Sequence, residues 1–132
     1  MTADPERQPV ILVVEDVEET RDAIEQLLVA DGYAVSTARN EEDAVLKAAL
    51  RPPDLILMSL GFDDTQVAEI GRRIRQNSQL EERITIVIFC VTTLPEGAEA
   101  EVGHNIYMCR PDNFDQLRSL LNRLARREQA HG

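Results

Sequence analysis

The chain has only two cysteines, Cys90 and Cys109, among 132 residues, and both lie in or beside apolar segments. A disulfide-stapled scaffold is thereby excluded, and two thiols without a neighbouring His or Cys do not make a zinc site. The most they offer is a pair at the ends of neighbouring strands that closes on oxidation. No apolar run approaches about 18 residues, so no segment reads as a membrane span. The opening MTADPERQPV lacks the charged and apolar regions of a signal peptide, which predicts a cytoplasmic protein. Repeats and low-complexity tracts are missing too, and the length suits one core. The expected organisation is a flexible segment over 1–9, one domain over 10–127 and a tail over 128–132.

A basic excess is also lacking. The formal net charge is −10: residues 1–64 hold 15 Asp+Glu against 5 Lys+Arg, and residues 65–132 hold 9 against 9. Such a surface argues against direct nucleic-acid binding. The arginines gather in 72-RRIR-75 and 118-RSLLNRLARR-127, either as the solvated faces of amphipathic helices or as a docking surface.

What is present is an alternation of two periods. The run 10-VILVV-14 is continuously apolar and β-branched, as a strand covered on both faces requires. After it, 18-EETRDAIEQLLVADG-32 brings Ala23, Ile24, Leu27, Leu28 and Ala30 near one helical face, with Gly32 as the stop. Residues 33–38 alternate as a second strand. Asn40 then caps a helix over 41–50 that Pro52 and Pro53 close off. The segment 54-DLILMS-59 is a third strand, a helix from about Thr65 to Asn77 buries Val67, Ile70 and Ile74, and 84-ITIVIFCV-91 is a fourth strand. In 92-TTLPEGAEAEV-102, Pro95 and Gly97 limit any helix to about two turns. The chain finishes with a strand, 105-NIYMC-109, and a helix capped by Asp112 or Asn113 with Phe114, Leu117, Leu120, Leu121 and Leu124 in a stripe. Five strands alternating with five helical segments predict a three-layer α/β domain with a doubly wound, five-stranded parallel sheet. Its chemistry belongs beyond the carboxyl ends of the strands, at Glu15, Asp16, Ser59, Cys90 to Thr93 and Arg110.

Adjacent acids leaving a strand, as Glu15 and Asp16 do, are costly to hold together without a positive group between them. They are consistent with a Mg²⁺ site and equally with solvated side chains that serve the next helix N-terminus. The pieces 11-ILVVEDVEETRDAI-24, 53-PDLILMSL-60 and 103-GHNIYMCRP-111, in that order and spacing, resemble the response-regulator receiver domains of two-component signalling, from about Val10 to Arg127. The resemblance implies a flavodoxin-like (βα)5 fold with strand order 2-1-3-4-5. It also implies a histidine kinase that phosphorylates an aspartate ending the third strand, and Mg²⁺ held by the acid pair. In such a switch a Lys and a Thr or Ser attend the phosphoryl group and an aromatic turns inward. Glu15 and Asp16 match the metal-binding acids, Tyr107 matches the aromatic, and Pro111 is the candidate for a cis peptide.

Three departures fall on the chemistry. Ser59 stands where the resemblance puts the phosphoacceptor, Arg110 where it puts the lysine, and Cys90 at the Thr/Ser position unless Thr92 or Thr93 takes it. The stretch between the fourth and fifth strands is also about two residues short of the family pattern. A serine hydroxyl is un-ionised near neutral pH and needs a base or metal to attack, and its phosphoester does not hydrolyse readily. Three carboxylates and a lysine sum to about −2, whereas Glu15, Asp16, Ser59 and Arg110 sum to about −1, so Mg²⁺ is not required and binds weakly if at all. Arg110 is expected to bridge to Glu15 or Asp16 in the metal's place. Asp63 and Asp64 read as turn and capping residues rather than substitute acceptors.

The expectation is a non-enzymatic, stand-alone pseudo-receiver that works by protein contact. Its partner is a histidine kinase, another response regulator or an output protein, with homodimerisation through the face of the fourth helix, fifth strand and fifth helix as a further expectation. That face carries Arg118, Arg123, Arg126 and Arg127. The sequence ends at 128-EQAHG-132, so either the chain acts through a partner or it is a piece of a longer protein. The alternatives are a receiver switched by Ser59 phosphorylation and an engineered Asp-to-Ser variant of an ordinary one. A serine hydrolase fits poorly, because position 57 is Leu57 rather than Gly and the two histidines, His104 and His131, are badly placed as bases.

Overall fold

The computed structural model describes residues 8–89 and 91–130, with side chains through Arg126. In chain order the elements are β1 (Val10–Glu15), α1 (Glu18–Ala30), β2 (Ala34–Ala38), α2 (Glu41–Leu50), β3 (Leu55–Ser59), α3 (Asp64–Asn77), β4 (Thr85–Ile88), β5 (Glu99–Glu101), β6 (Ile106–Cys109) and α4 (Phe114–Ala130). The sheet runs β2-β1-β3-β4-β6-β5. Every pairing is parallel except that of β5 with β6. The five parallel strands therefore keep the predicted order, and a sixth, antiparallel strand is added at the edge.

Two apolar layers explain the continuous runs. Ile11, Val13, Leu55, Leu57 and Val87 face α1 and α4, whereas Leu12, Val14, Ile56, Met58 and Ile86 face α2 and α3. All of β1 is buried, and so is β3 up to Ser59. Each fully buried Val, Leu or Ile contributes about 1.5–3 kcal/mol relative to exposure, so the register of these strands is strongly specified.

The helices start where their caps predict. Asn40 Oδ1 accepts from Asp43 N at 2.8 Å, and Asp63 forms a reciprocal capping box with Gln66 at the head of α3. Asn113 Oδ1 accepts from Gln116 N at 3.0 Å at the head of α4. Gly32, at φ +96°, ends α1 in the left-handed region. The α1 stripe is narrower than predicted: Ile24 and Leu28 are buried, but Ala23, Leu27 and Ala30 are exposed. One i,i+4 ridge is all that this helix sets into the layer.

Between β4 and β6 the expected helix is replaced by turns and β5 among the described residues. Gly97 takes φ +85°, its N–H donates to the Arg110 carbonyl at 2.6 Å, and Arg110 N donates to Ala98 O at 3.0 Å. Glu99, Ala100 and Glu101 then pair with Cys109, Met108 and Tyr107. Pro95 and Gly97 prevent a helical ladder, and a hairpin satisfies the backbone groups that a helix otherwise satisfies internally. The Arg110–Pro111 peptide is trans, against the cis candidate, since no cis bond occurs among the described residues. Trans is the lower-energy form of an X–Pro bond by about 0.5–1 kcal/mol, and the Arg110 carbonyl is already committed to Gly97.

Truncating Leu121, fully buried between α4 and the sheet, is expected to cost about 2–5 kcal/mol in urea unfolding. Leu50→Ala, at 82% exposure, is expected to stay within about 0.5 kcal/mol of the parent. Equal losses from the two substitutions contradict this assignment of the core.

Candidate functional site

The strand order reverses between β1 and β3: β1 feeds α1 on one layer, and β3 feeds α3 on the other. The loops after these strands part, and a crevice opens at their carboxyl ends, where ligands of doubly wound sheets bind. Glu15 lies directly opposite Ser59 in the parallel register. Asp16 is exposed at the same end, and a Cβ placed on Gly61 falls 3.4 Å from Asp16 Oδ2, so the β3–α3 loop passes against it. The structure thus brings Glu15, Asp16 and Ser59 together.

Glu15 is the unusual member. It is only 4% exposed, its Oε2 accepts from Val17 N at 3.0 Å, and its backbone carbonyl accepts from Arg21 Nη1 at 2.9 Å. Burial pushes its carboxyl above the usual range against the opposing Val17 N–H, and the neighbouring Asp16 adds to the rise. Ser59 is half-buried, and among the described residues no base hydrogen-bonds its hydroxyl. His104 lies at the opposite end of the sheet, with Nδ1 2.7 Å from Glu82 Oε1. His131 lies outside the described residues.

Arg110 does not join the acids. Its Nη1 donates to the Leu94 carbonyl at 3.2 Å, and among the described residues no ion pair links it to Glu15 or Asp16. The expected bridge is therefore corrected: a carbonyl in the loop that replaced the helix takes up the guanidinium instead. Cys90 lies outside the described residues. Of the two nearby threonines, Thr92 is exposed and Thr93 Oγ1 donates to Asp64 Oδ2 at 2.6 Å, joining this loop to the first turn of α3. Sequence reasoning missed this contact. The Asp63-to-Gln66 capping spacing carried the signal, because it starts α3 at Asp64 and turns that carboxyl toward the strand ends.

Tyr107 is half-buried against the α1–α4 layer. On the expected partner face, β5 stands where a helix was predicted, and the arginines point to different neighbours. Arg118 forks onto Asp31 at 2.6 and 2.7 Å, and Arg126 lies 5.1 Å over the Tyr33 ring, both toward α1 and β2. Arg123 reaches Glu99 at 2.8 Å on the β5 side. The side chain of Arg127 is outside the described residues.

A three-layer fold with an acid pair beside the end of its third strand defines the receiver class. The model of the Response regulator receiver domain matches residues 11–122, and the chain belongs to that family of two-component signalling proteins. It is 30% identical over 132 residues to the transcriptional regulatory protein KdpE of Staphylococcus aureus (strain NCTC 8325 / PS 47), covering 94% of this chain and 53% of that protein. Among solved structures, the receiver domain of a sensor histidine kinase from Pseudomonas aeruginosa PAO1, which holds a magnesium ion in its active-site cleft, is 28% identical with a TM-score of 0.64 over 90% of this chain and 98% of that one. The N-terminal domain of a response regulator/sensory box/GGDEF protein from Carboxydothermus hydrogenoformans is also 28% identical, with a TM-score of 0.61 over 92% and 98%. The chain spans about half the length of the curated relatives it matches. No helix among the described residues is long and apolar enough to cross a membrane.

The donors fit the metal implied by this family poorly. Among the described residues no three His, Cys, Asp or Glu side chains converge on a point that could hold an ion. What remains is one exposed carboxylate, one buried carboxyl already bonded to Val17 N, and a neutral hydroxyl, fewer anionic oxygens than three carboxylates supply to a hard divalent ion.

A carboxyl whose folded-state pKa lies above its ordinary 4.5 stabilises the fold below that pH and loses the contribution as pH rises through the folded value. Glu15→Gln is therefore expected to raise the thermal midpoint at pH 7 by a few degrees, with the gain shrinking below about pH 4.5. A gain that grows on acidification contradicts the sign.

Proposed function

We propose that this chain is a phosphorylation-independent receiver, a non-catalytic cytoplasmic binding module whose output is carried by protein contacts. The observation that carries the reading is Ser59 held in register opposite a buried Glu15, with no base on its hydroxyl among the described residues. A carboxylate attacks a phosphoryl donor without deprotonation and leaves a labile acyl phosphate, which lets a switch reset. A hydroxyl does neither. The Arg110 contact supports the same reading, because its guanidinium bonds Leu94 O and makes no ion pair with Glu15 or Asp16 among the described residues. Mg²⁺ is not required and binds weakly. The partner is a histidine kinase, a second response regulator or an output protein.

Phosphorylation of Ser59 by a serine kinase is the weaker reading, since it sets a dianion beside Glu15 and Asp16 with Arg110 turned away. The test is incubation with Mg²⁺ and acetyl phosphate followed by intact-mass measurement. No adduct is expected, and a stable gain of about 80 Da on Ser59 overturns the proposal. Ser59→Asp is expected to label slowly or not at all, because Arg110 remains on Leu94 O. Rapid, labile labelling of that variant instead shows that the acceptor alone had been lost.

A further inference from the structure

Between α2 and α3 runs an open groove of about 1170 Å³, beginning at Asp16 and ending near Asn77. Small-molecule sites are commonly about 300–1,000 Å³ and largely enclosed, so an open trough of this size suits a length of polypeptide better. Its apolar surface comes from Val45 and Leu46 on α2, Leu60 and Phe62 after β3, and Ile70 on α3. Leu46, on α2, is 61% exposed, and Phe62, in the loop between β3 and α3, is 57% exposed. A trough with apolar side chains on both sides takes the stripe of an amphipathic helix lying along it.

The charge of the rim selects the helix. Asp16, Glu41, Glu42 and Glu69 line the groove against Arg39 and Arg73, a surplus of two negative charges. Arg73 is already forked onto Glu41, with both bonds at 2.8 Å, and Arg72 pairs with Glu69 at 2.9 Å, which leaves Glu42 and Asp16 facing solvent beside Arg39. The half of the chain that builds most of this groove also carries the whole acidic excess. An occupant with Lys or Arg flanking its apolar stripe gains at Asp16 and Glu42, and one with acidic flanks is repelled there.

We infer that the α2–α3 groove docks a basic amphipathic helix of a partner protein, with a cationic side chain of that helix seated at Asp16. The inference rests on the phosphorylation-independent reading and deepens it. Neither Arg110 nor a full metal-ligand set supplies positive charge at the acid pair, and the docked helix does. Because Leu60 and Phe62 lie in the loop that follows Ser59, the occupant also bears on the segment between β3 and α3.

Full-length ¹⁵N-labelled protein titrated with a synthetic helix of about 18 residues, Leu at i, i+3, i+4 and i+7 with Lys flanks, tests the inference. Saturable shifts at Asp16, Leu46, Phe62 and Glu69 are expected, together with no binding of the same helix carrying Glu flanks. Leu46→Asp, at an exposed position that leaves the core intact, is expected to weaken binding at least about tenfold with an unchanged far-UV spectrum. Shifts confined to other surfaces, equal binding of both helices, or full affinity in Leu46→Asp overturn it. The same shifts appearing with protein concentration alone also overturn it, in favour of a second copy as the occupant. None of these outcomes bears on acetyl phosphate labelling, so the groove and the loss of phosphorylation fail separately.

Discussion

Burial of β1 and β3 on both faces is the constraint from which the remainder of the molecule follows. With apolar layers above and below, a one-residue slip of either strand moves every side chain into the wrong layer, so the alignment of Glu15 with Ser59 is set by the core. The site is formed by the last residues of two strands buried on both faces. The same constraint buries Glu15, and a buried carboxyl without a cation is a standing electrostatic cost. Receiver chemistry uses that cost to capture a metal and a phosphoryl group. Here Ser59 ends β3 beside the buried Glu15.

Guanidinium groups away from the acid pair are taken up within the scaffold. Arg110 turns to a loop carbonyl, Arg118 forks onto Asp31 at the end of α1, and Arg73 forks onto Glu41 between α2 and α3. The guanidinium beside Glu41 holds that carboxyl below its usual range, and Arg118 is held protonated well above its ordinary value by Asp31 first and Asp115 second. These exposed pairs contribute little energy one by one. They lie between α2 and α3 and between α4 and the end of α1.

The parallel core was legible because continuous β-branched runs, caps and breakers all pointed the same way, as for 10-VILVV-14 and Asn40. The hairpin was not. In 98-AEAEV-102 the residues are good helix formers, yet they alternate with period two, and the positive φ at Gly97 decides between the signals. At the site, the grouping of Glu15, Asp16 and Ser59 follows from strand ends alone. The direction of Arg110 does not, because it depends on which carbonyls the missing helix left unsatisfied, a property of tertiary backbone geometry. The exposure of Leu46 and Phe62 was equally hidden, since a helix pattern does not say how far apart two helices stand.

The central claim is that the receiver architecture persists here while its response to a phosphoryl group is gone. Beryllofluoride with Mg²⁺ mimics a phosphorylated receiver, and the backbone amide spectrum of the native chain reads any response at Glu15, Ser59, Leu60 and Tyr107. With millimolar Mg²⁺ and beryllofluoride, these resonances are predicted to stay in place. Saturable, coupled shifts at Ser59 and Tyr107 would contradict the account.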